Sequence, residues 1–282
     1  MTVVKYFMLP VITIALLLYC TAAVAFDRIV SLAPNMTEVL FAIGLGDKVV
    51  GVTTFCDYPE EAKKKPKVGG MSNPSLEAVV SLKPDIVVMT TDGNPKEFEE
   101  RLRRLGIKTY VSRARRIREL PDEIRDMGSA LGAKEKADET AEKIQKAMEE
   151  FKGIRTTQTG KKILFVVWPE PLMVAGFGTA IDDAITLLGY TNIASMPDIA
   201  GARSPYPKYS IEEAIRGMPD IIFIGKGMSD GDMKALSERL LRRLKGTPAL
   251  KNKKVFYVGD GLYRLGPRVI QGIEEMAELL KR

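Results

Sequence analysis

Two stretches decide the fold: Ser75-Leu76-Glu77 leading to Lys83-Pro84-Asp85-Ile86-Val87-Val88, and Ser210-Ile211-Glu212 leading to Met218-Pro219-Asp220-Ile221-Ile222-Phe223. Every matched position in the second lies 135 residues after its counterpart in the first. The physics of the shared pattern is simple. Serine is an N-cap residue, and a glutamate in the first turn favours the helix dipole. Proline then ends the helix, and Pro-Asp turns the chain into an apolar strand. A helix-to-strand unit that occurs twice in one chain predicts two related lobes.

The surrounding sequence extends the repeat. Strands are predicted at Arg28–Leu32, Val49–Thr53, Asp85–Thr90 and Lys108–Val111, and again at Lys162–Val167, Asp220–Gly225 and Val255–Val258. Helical patterns at Thr37–Ile43, Leu76–Leu82 and Lys96–Leu105 fall between them, with glycine turns near Gly44 and Gly189. This alternation gives an α/β fold: two Rossmann-like lobes with mainly parallel sheets. Between the lobes, Ala137, Ala141, Ile144, Met148, Phe151 and Ile154 recur every three or four residues within the Ala/Glu/Lys-rich stretch Lys134–Arg155. They form one apolar stripe on a long helix of about 30 Å. We read it as a rigid strut that limits relative lobe movement, unlike a Gly/Ser linker. The expected organisation is a signal peptide (1–25), an N-terminal lobe (26–133), a connecting helix (134–158) and a C-terminal lobe (159–282).

Composition narrows the function. Of 282 residues, 45% are hydrophobic and 28% charged, and 42 Lys+Arg against 36 Asp+Glu leave a formal charge of +6, an ordinary globular balance. The absence of histidine removes every Ser-His, Cys-His and His-metal arrangement. Cys20 and Cys56 are too few for a zinc knuckle or an iron–sulfur cluster. The leader has Lys5 as its positive region, Val11 to Tyr19 as its apolar region and Ala23-Val24-Ala25 as a cleavage site, so cleavage after Ala25 is expected. A retained membrane anchor and a lipoprotein signal through Cys20 are the alternatives, the latter disfavoured by the bulky Tyr19. Cleavage leaves Cys56 as the sole thiol, so stability in an oxidising compartment must come from core burial. The basic runs Arg113–Arg118 and Arg239–Lys245 lack interleaved aromatics and read as solvated faces, not as nucleic-acid sites.

No P-loop, dinucleotide fingerprint, nucleophile elbow or H-E-x-x-H helix is present; Gly44-Leu45-Gly46 and Gly176-Phe177-Gly178 are near misses. Asp57, Glu170 and Asp260 read as ordinary loop acids, and an exported hydrolase built on Asp260 and Glu170 is a distant alternative. A ligand cleft between lobes is the better reading, lined from the carboxyl ends of strands. The candidates are Ser31 to Asn35, Phe55 to Tyr58, Trp168 to Glu170, Arg203 to Tyr206 and Asp260 to Arg264. The set is aromatic with a few polar groups, which suits a flat or bulky ligand. Core packing competes as the reading for each aromatic, Trp168 above all. Asn35 with Glu38 reads as a capping box.

The segments Arg28 to Glu38 (RIVSLAPNMTE), Val50 to Pro59 (VGVTTFCDYP) and Leu76-Glu77 through Leu82-Lys83-Pro84-Asp85 resemble the helical-backbone class of periplasmic binding proteins. These are the substrate-capture subunits of ABC importers for cobalamin, haem and iron–siderophores. The resemblance spans residues 26 to 282. The Asp-Tyr-Pro turn and Asp260 to Arg268 (DGLYRLGPR) look closest to the cobalamin-binding members. The resemblance implies that Phe55 stacks on the corrin edge, where the family commonly has tyrosine, and that Asp260, Gly261, Leu262, Tyr263 and Arg264 close on the ligand from the second lobe. Tyr206 stands where the family has tryptophan, and Met71 and Thr90 also replace aromatics, which opens the site to a related corrinoid or another chelate. Tyr58 and Trp168 complete the expected contacts. Glu77 and Glu212 match exposed carboxylates that dock on arginines of a dimeric inner-membrane permease, itself coupled to ATPase subunits. One equivalent residue per pseudo-symmetric lobe suits a partner made of two like subunits; the competing reading is that both merely favour their helix N-termini. The expectation is therefore a monomeric capture protein, not an enzyme, with no cofactor of its own. A ferric siderophore held by Arg203, Arg264 and Arg268, or haem ligated by Tyr58 or Tyr206, is the alternative.

Overall fold

The computed structural model describes residues 26–153, 160–195, 205–226 and 230–282. The expected leader with Cys20, the end of the apolar stripe at Ile154, and Arg203 lie outside the described residues. In the first lobe β1 (Ile29–Ser31), β2 (Val49–Val52), β3 (Ile86–Thr90) and β4 (Lys108–Ser112) form an all-parallel sheet in the order β2-β1-β3-β4. In the second, β5 (Lys162–Pro169) pairs in parallel with β8 (Ile221–Gly225), which pairs with β9 (Val255–Val258). The free edge of β5 carries two short strands the sequence did not signal. β7 (Thr191–Asn192) runs parallel at its start and β6 (Leu172–Val174) antiparallel at its end. With β7, β5, β8 and β9 standing for β2, β1, β3 and β4, the two sheets share one order.

The repeat persists at the level of single hydrogen bonds. The Ser75 side chain accepts from Ala78 N–H at 3.2 Å, and Ser210 accepts from Glu213 N–H at 3.1 Å. Lys83 and Met218 precede the two prolines and both adopt the left-handed region, φ +45° and +48°. A residue before proline is steered from the right-handed helical region, and the chain escapes each helix through this otherwise costly conformation. Asp85 Oδ2 then accepts from the Asp27 and Arg28 N–H groups at 2.9 Å each, and Asp220 Oδ2 accepts from Lys162 N–H at 2.8 Å. Each aspartate thus clips the start of its lobe's β1 or β5 to the start of β3 or β8. Gly44 and Gly189 supply the positive φ of +80° and +83° at the matching turns.

The first helix begins at Pro34 (Pro34–Ala42), earlier than the apolar pattern suggests, because proline at the first helical position carries a preset φ. The helix Lys134–Gly153 buries Ala137, Ala141, Ile144 and Phe151, with Met148 half-buried, as the stripe requires. It packs along the helix Leu120–Leu131 so closely that a Cβ on Gly128 would lie 2.1 Å from Ala137 Cβ. One buried cluster runs from Met36, Leu40 and Ile43 of the first lobe through Ile124, Ala137 and Ile144 to Phe165, Ile181 and Ile273 of the second. The lobes therefore share a core through the connecting helix. On that side Phe165 of β5 and Phe223 of β8 stack with centroids 6.3 Å apart, and Phe256 of β9 meets Phe223 in a tilted pair at 5.5 Å. The opposite faces of the sheets carry separate clusters around Val30, Val87 and Phe98, and around Ile222, Ile224 and Leu240.

Candidate ligand cleft

The polar contacts between the lobes lie beyond the carboxyl ends of strands, where the sequence places the expected cleft. After β9, the turn Asp260–Leu262 and the segment to Arg268 carry two arginines toward the first lobe. Arg264 makes a bidentate pair with Asp57, which follows β2: Nη1 donates to Oδ1, and Nη2 to Oδ2 at 3.2 Å. Its Nε lies 2.8 Å from Asp260 Oδ2. Arg268 Nη2 donates to Glu38 Oε1 at 2.7 Å, and its Nη1 to Asp260 Oδ1 at 3.2 Å. Asn35 Nδ2 donates to the Leu265 carbonyl at 3.4 Å. These bonds correct the capping-box reading. The N-cap of the helix is Ala33, which offers no side chain to accept, and Asn35 and Glu38 are instead turned to the other lobe.

Three carboxylates thus enclose two guanidiniums. Glu38 is buried, with 1% of its side chain exposed, and its Oε2 has no hydrogen-bond partner among the described residues. Burial raises its pKa above 4.5 despite the two arginines, with Asp260 adding to the effect. Burial also acts upward on Asp57, but there the Arg264 hydrogen bond and charge win and hold it below 3.8. Both arginines are held more firmly protonated by these acids, against desolvation.

A second clasp closes the opposite side. Arg116, beyond β4, donates from Nε to Asp183 Oδ1 at 2.8 Å and from Nη2 to the same oxygen, while Ile117 N–H donates to Oδ2 at 2.9 Å. The guanidinium lies 5.6 Å from the centroid of Phe177. Asp183 belongs to the helix Ala180–Leu187 of the second lobe.

The predicted site residues fall into distinct settings. Phe55 and Tyr58 are open, at 40% and 45% exposure, and Arg268 covers one face of Tyr58 with 4.5 Å to the ring centroid. Tyr206 is half-buried; burial and the Asp92 charge across the cleft push its hydroxyl up. Tyr263 donates to the Lys226 carbonyl at 2.5 Å, and burial with Asp260 pushes it to about 12. Trp168 is half-buried and its Nε1 donates to the Glu170 carbonyl at 2.8 Å. Met71 is half-buried against the core, and its carbonyl accepts from Asn94 Nδ2 at 2.8 Å. Gly261 and Asp260 are partly exposed, whereas Leu262 is wholly buried and Arg264 nearly so. Thr90 is also buried. Its N–H donates to Asn94 Oδ1 at 2.8 Å and its hydroxyl accepts from Asp92 N–H at 3.1 Å, so it shapes the turn after β3. Glu77 and Glu212 are both exposed at equivalent positions on their helices.

Arg264 and Arg268 are committed to carboxylates, which takes two of the three arginines expected to hold a siderophore. Glu170 pairs with Arg239 at 3.0 Å and Asp260 with the two arginines, so neither acid of the hydrolase alternative is free. Cys56 is buried with its sulfur 3.1 Å from both Thr37 Oγ1 and Thr53 Oγ1, beneath the Phe55–Tyr58 turn and not in contact with solvent. The reading of Arg113–Arg118 as a solvated face fails at Arg116, which is half-buried and ion-paired to Asp183 of the other lobe; Asp183 and Phe177 were missed, the only signal being an aromatic set between two glycines.

Residues 29–262 match the model of a family described as periplasmic binding protein. Among curated proteins, a vitamin B12-binding protein of Vibrio parahaemolyticus is 28% identical, covering 89% of this chain and 88% of the relative. One of Pectobacterium carotovorum is 31% identical, covering 94% and 92%. Among solved structures, the periplasmic vitamin B12-binding protein BtuF of Vibrio cholerae matches with a TM-score of 0.76 at 26% identity, over 91% of this chain and 97% of that one. The periplasmic heme-binding protein RhuT from Roseiflexus matches with a TM-score of 0.79 at 27% identity, over 90% and 97%.

Proposed function

The chain belongs to this periplasmic binding protein family, and from that premise we propose that it captures cobalamin or a related corrinoid between its lobes and hands it to an inner-membrane ABC permease. The observation that carries the choice of ligand is the pairing of Arg264 and Arg268 with Glu38, Asp57 and Asp260. Two positive and three negative groups give this part of the cleft no surplus positive charge. A polyanionic ferric siderophore needs unpaired arginines, whereas a corrin ring fringed with neutral amides needs apolar faces and scattered hydrogen-bonding groups. Phe55, Tyr58, Trp168, Tyr206 and Tyr263 supply the faces, and Asp260 with Gly261 supplies partners at the rim. Met71 fills one wall; Thr90, Leu262 and Arg264 hold the surrounding turns in place. Curated relatives that bind vitamin B12 support the same ligand.

Residues 1–25 act in this reading as the export signal, removed after Ala25, and the mature protein works as a monomer. Glu77 and Glu212, one per lobe, register it on a permease of two like subunits, coupled to ATPase subunits. Glu77→Ala with Glu212→Ala is expected to leave ligand affinity unchanged and to abolish most uptake; normal uptake by the double variant would remove the docking role. The test of the ligand is isothermal titration of residues 26–282 with cyanocobalamin, cobinamide, haemin and ferric enterobactin, for which saturable one-to-one binding of a corrinoid is expected. Haem is the second reading, favoured by the exposed Tyr58 and the likeness to RhuT. Tight binding of haemin with a shifted Soret band, lost in Tyr58→Phe, would replace the corrinoid.

A further inference from the structure

The two lobes fill one corresponding place differently. In the first, Phe98 and Leu102 of the helix Lys96–Arg104 are buried and pack in one cluster with Val87 and Met89 of β3 and Val111 of β4. The positions 135 residues later, the offset of the repeat, are Met233 and Ser237 of the helix Asp230–Arg243. The strand ends before them, Thr90 and Gly225, keep the same offset, so the two helices leave their sheets in step. Met233 and Ser237 are also buried, yet neither joins the cluster on that face, to which this helix contributes Leu240, Leu241 and Leu244. A thioether and a hydroxyl thus stand where phenylalanine and leucine fill the first lobe. Between the start of this helix and the ends of β8 and β9 lies an open cavity of about 310 Å³.

Its walls suit a flat apolar ring. Tyr257, 39% exposed, is the register partner of Ile224 and so faces the same side of the sheet as that core residue. An aromatic ring and a thioether both make favourable contacts with a bound aromatic. The Ser237 hydroxyl donates to the Met233 carbonyl at 2.6 Å, so toward a ligand it can only accept. The charged lining residues, Lys226, Lys234 and Glu238, are exposed. Lys234 and Glu238 are four apart on the helix, a spacing at which opposite charges pair, and Lys226 keeps its ammonium in water. The interior therefore asks for no counter-ion. An apolar cavity of about 150 Å³ holds benzene, and this one has about twice that volume, room for two fused rings. Tyr263 of the cleft lies on the other face of the sheet: a Cβ on Gly225 would meet Tyr263 Cε1 at 3.2 Å and Phe165 Cε1 at 3.7 Å, on the side of the shared core.

We propose that this cavity is a second ligand site, separate from the interlobe cleft, for a small uncharged fused-ring aromatic with one N–H or O–H donor, which Ser237 Oγ accepts. The site stands whatever the cleft binds.

The experiment titrates residues 26–282, labelled with methyl-¹³C methionine, with 2-naphthol and with naphthalene-2-carboxylate, and follows the methyl signals by NMR. Met233 reports the cavity and Met71 the cleft. 2-Naphthol should shift the Met233 methyl saturably, with a Kd below about 1 mM, and the carboxylate should bind at least about tenfold more weakly. Ser237→Leu, which copies the first lobe, should abolish the shift with an unfolding midpoint at or above wild type, because it fills the space. Tyr257→Ala should weaken binding about tenfold at an unchanged midpoint, and it decides the matter if Ser237→Leu does not fold. Ser237→Ala should weaken binding about fivefold by deleting the acceptor. A silent Met233 up to the solubility limit, a shift confined to Met71, or wild-type affinity in Ser237→Leu or Tyr257→Ala would overturn the site. Equal or tighter binding of the carboxylate would overturn the uncharged class, and wild-type affinity in Ser237→Ala the acceptor role. Failure of every corrinoid to bind would overturn the reading of the cleft and leave this site standing.

Discussion

Replacing Arg268 with methionine keeps the apolar stem and removes the charge that faces Glu38. The Glu38 side chain is 1% exposed, one oxygen depends on Arg268 at 2.7 Å, the other has no hydrogen-bond partner among the described residues, and Arg264 lies 3.9 Å away. Stranding one member of such a buried pair costs about 3–5 kcal/mol, or about 6–20 °C in Tm for a chain of this size. The pH dependence has a definite sign. Glu38 already has a raised pKa, so its contribution is fully present below about pH 4.5 and is lost as pH rises through the folded value. Removing Arg268 raises that value further, so the deficit is greatest near neutrality and shrinks toward about pH 5. Thermal unfolding followed by far-UV circular dichroism, at both pH values, reads this directly. Replacing Glu38 and Arg268 together with methionine should recover much of the loss, because two matched apolar side chains leave no stranded charge. A single variant that melts within about 2 °C of wild type, or a double variant as unstable as the single, would refute the reasoning.

Three further outcomes are expected. Asp57 has a lowered pKa, so its pairing with Arg264 stabilises the fold above pH 3.8 and is lost as pH falls through the folded value. With its side chain 52% exposed, Asp57→Asn should cost under about 1 kcal/mol at neutral pH and flatten the acid limb of a stability-versus-pH curve. Gly128→Ala drives a methyl into Ala137 and should destabilise by about 1–3 kcal/mol in chemical denaturation, with Ala137→Gly restoring part of the loss. Lys83→Gly and Met218→Gly relieve equivalent left-handed conformations, and each should stabilise by about 0.5–1 kcal/mol, to a similar extent, in the same assay.

What the sequence reveals here is what local rules govern. Ser75 and Ser210, the two Pro-Asp steps and the apolar stripe from Ala137 to Phe151 each act within a few residues, so the repeat, the sheets and the long helix are readable before any coordinates. Glu38 is not readable in this way. Its spacing from Asn35 matches a capping box, yet its partner lies 230 residues away, and Pro34 moves the cap to Ala33. Thr90 and Leu262 sit at strand ends where ligand contacts are expected, but the Asn94 turn and the turn after β9 point them inward, a matter of loop geometry. β6 is three residues long and defined by its neighbour β5, so its own sequence carries little strand signal. Phe177 owes its setting to Arg116, a residue of the other lobe.

The continuous cluster from Met36 to Ile273 has a consequence for how the molecule comes apart. Repetition gave it two copies of a topology, but a shared interior makes them a single cooperative body: heat should melt both lobes in one transition. A fragment cut after residue 133 would bare Ile124, Met127 and Leu131 to water, with the helix that covers them gone. For such a protein, holding a ligand between its halves is a matter of side chains and small adjustments at the rim, because parting the halves means melting the molecule.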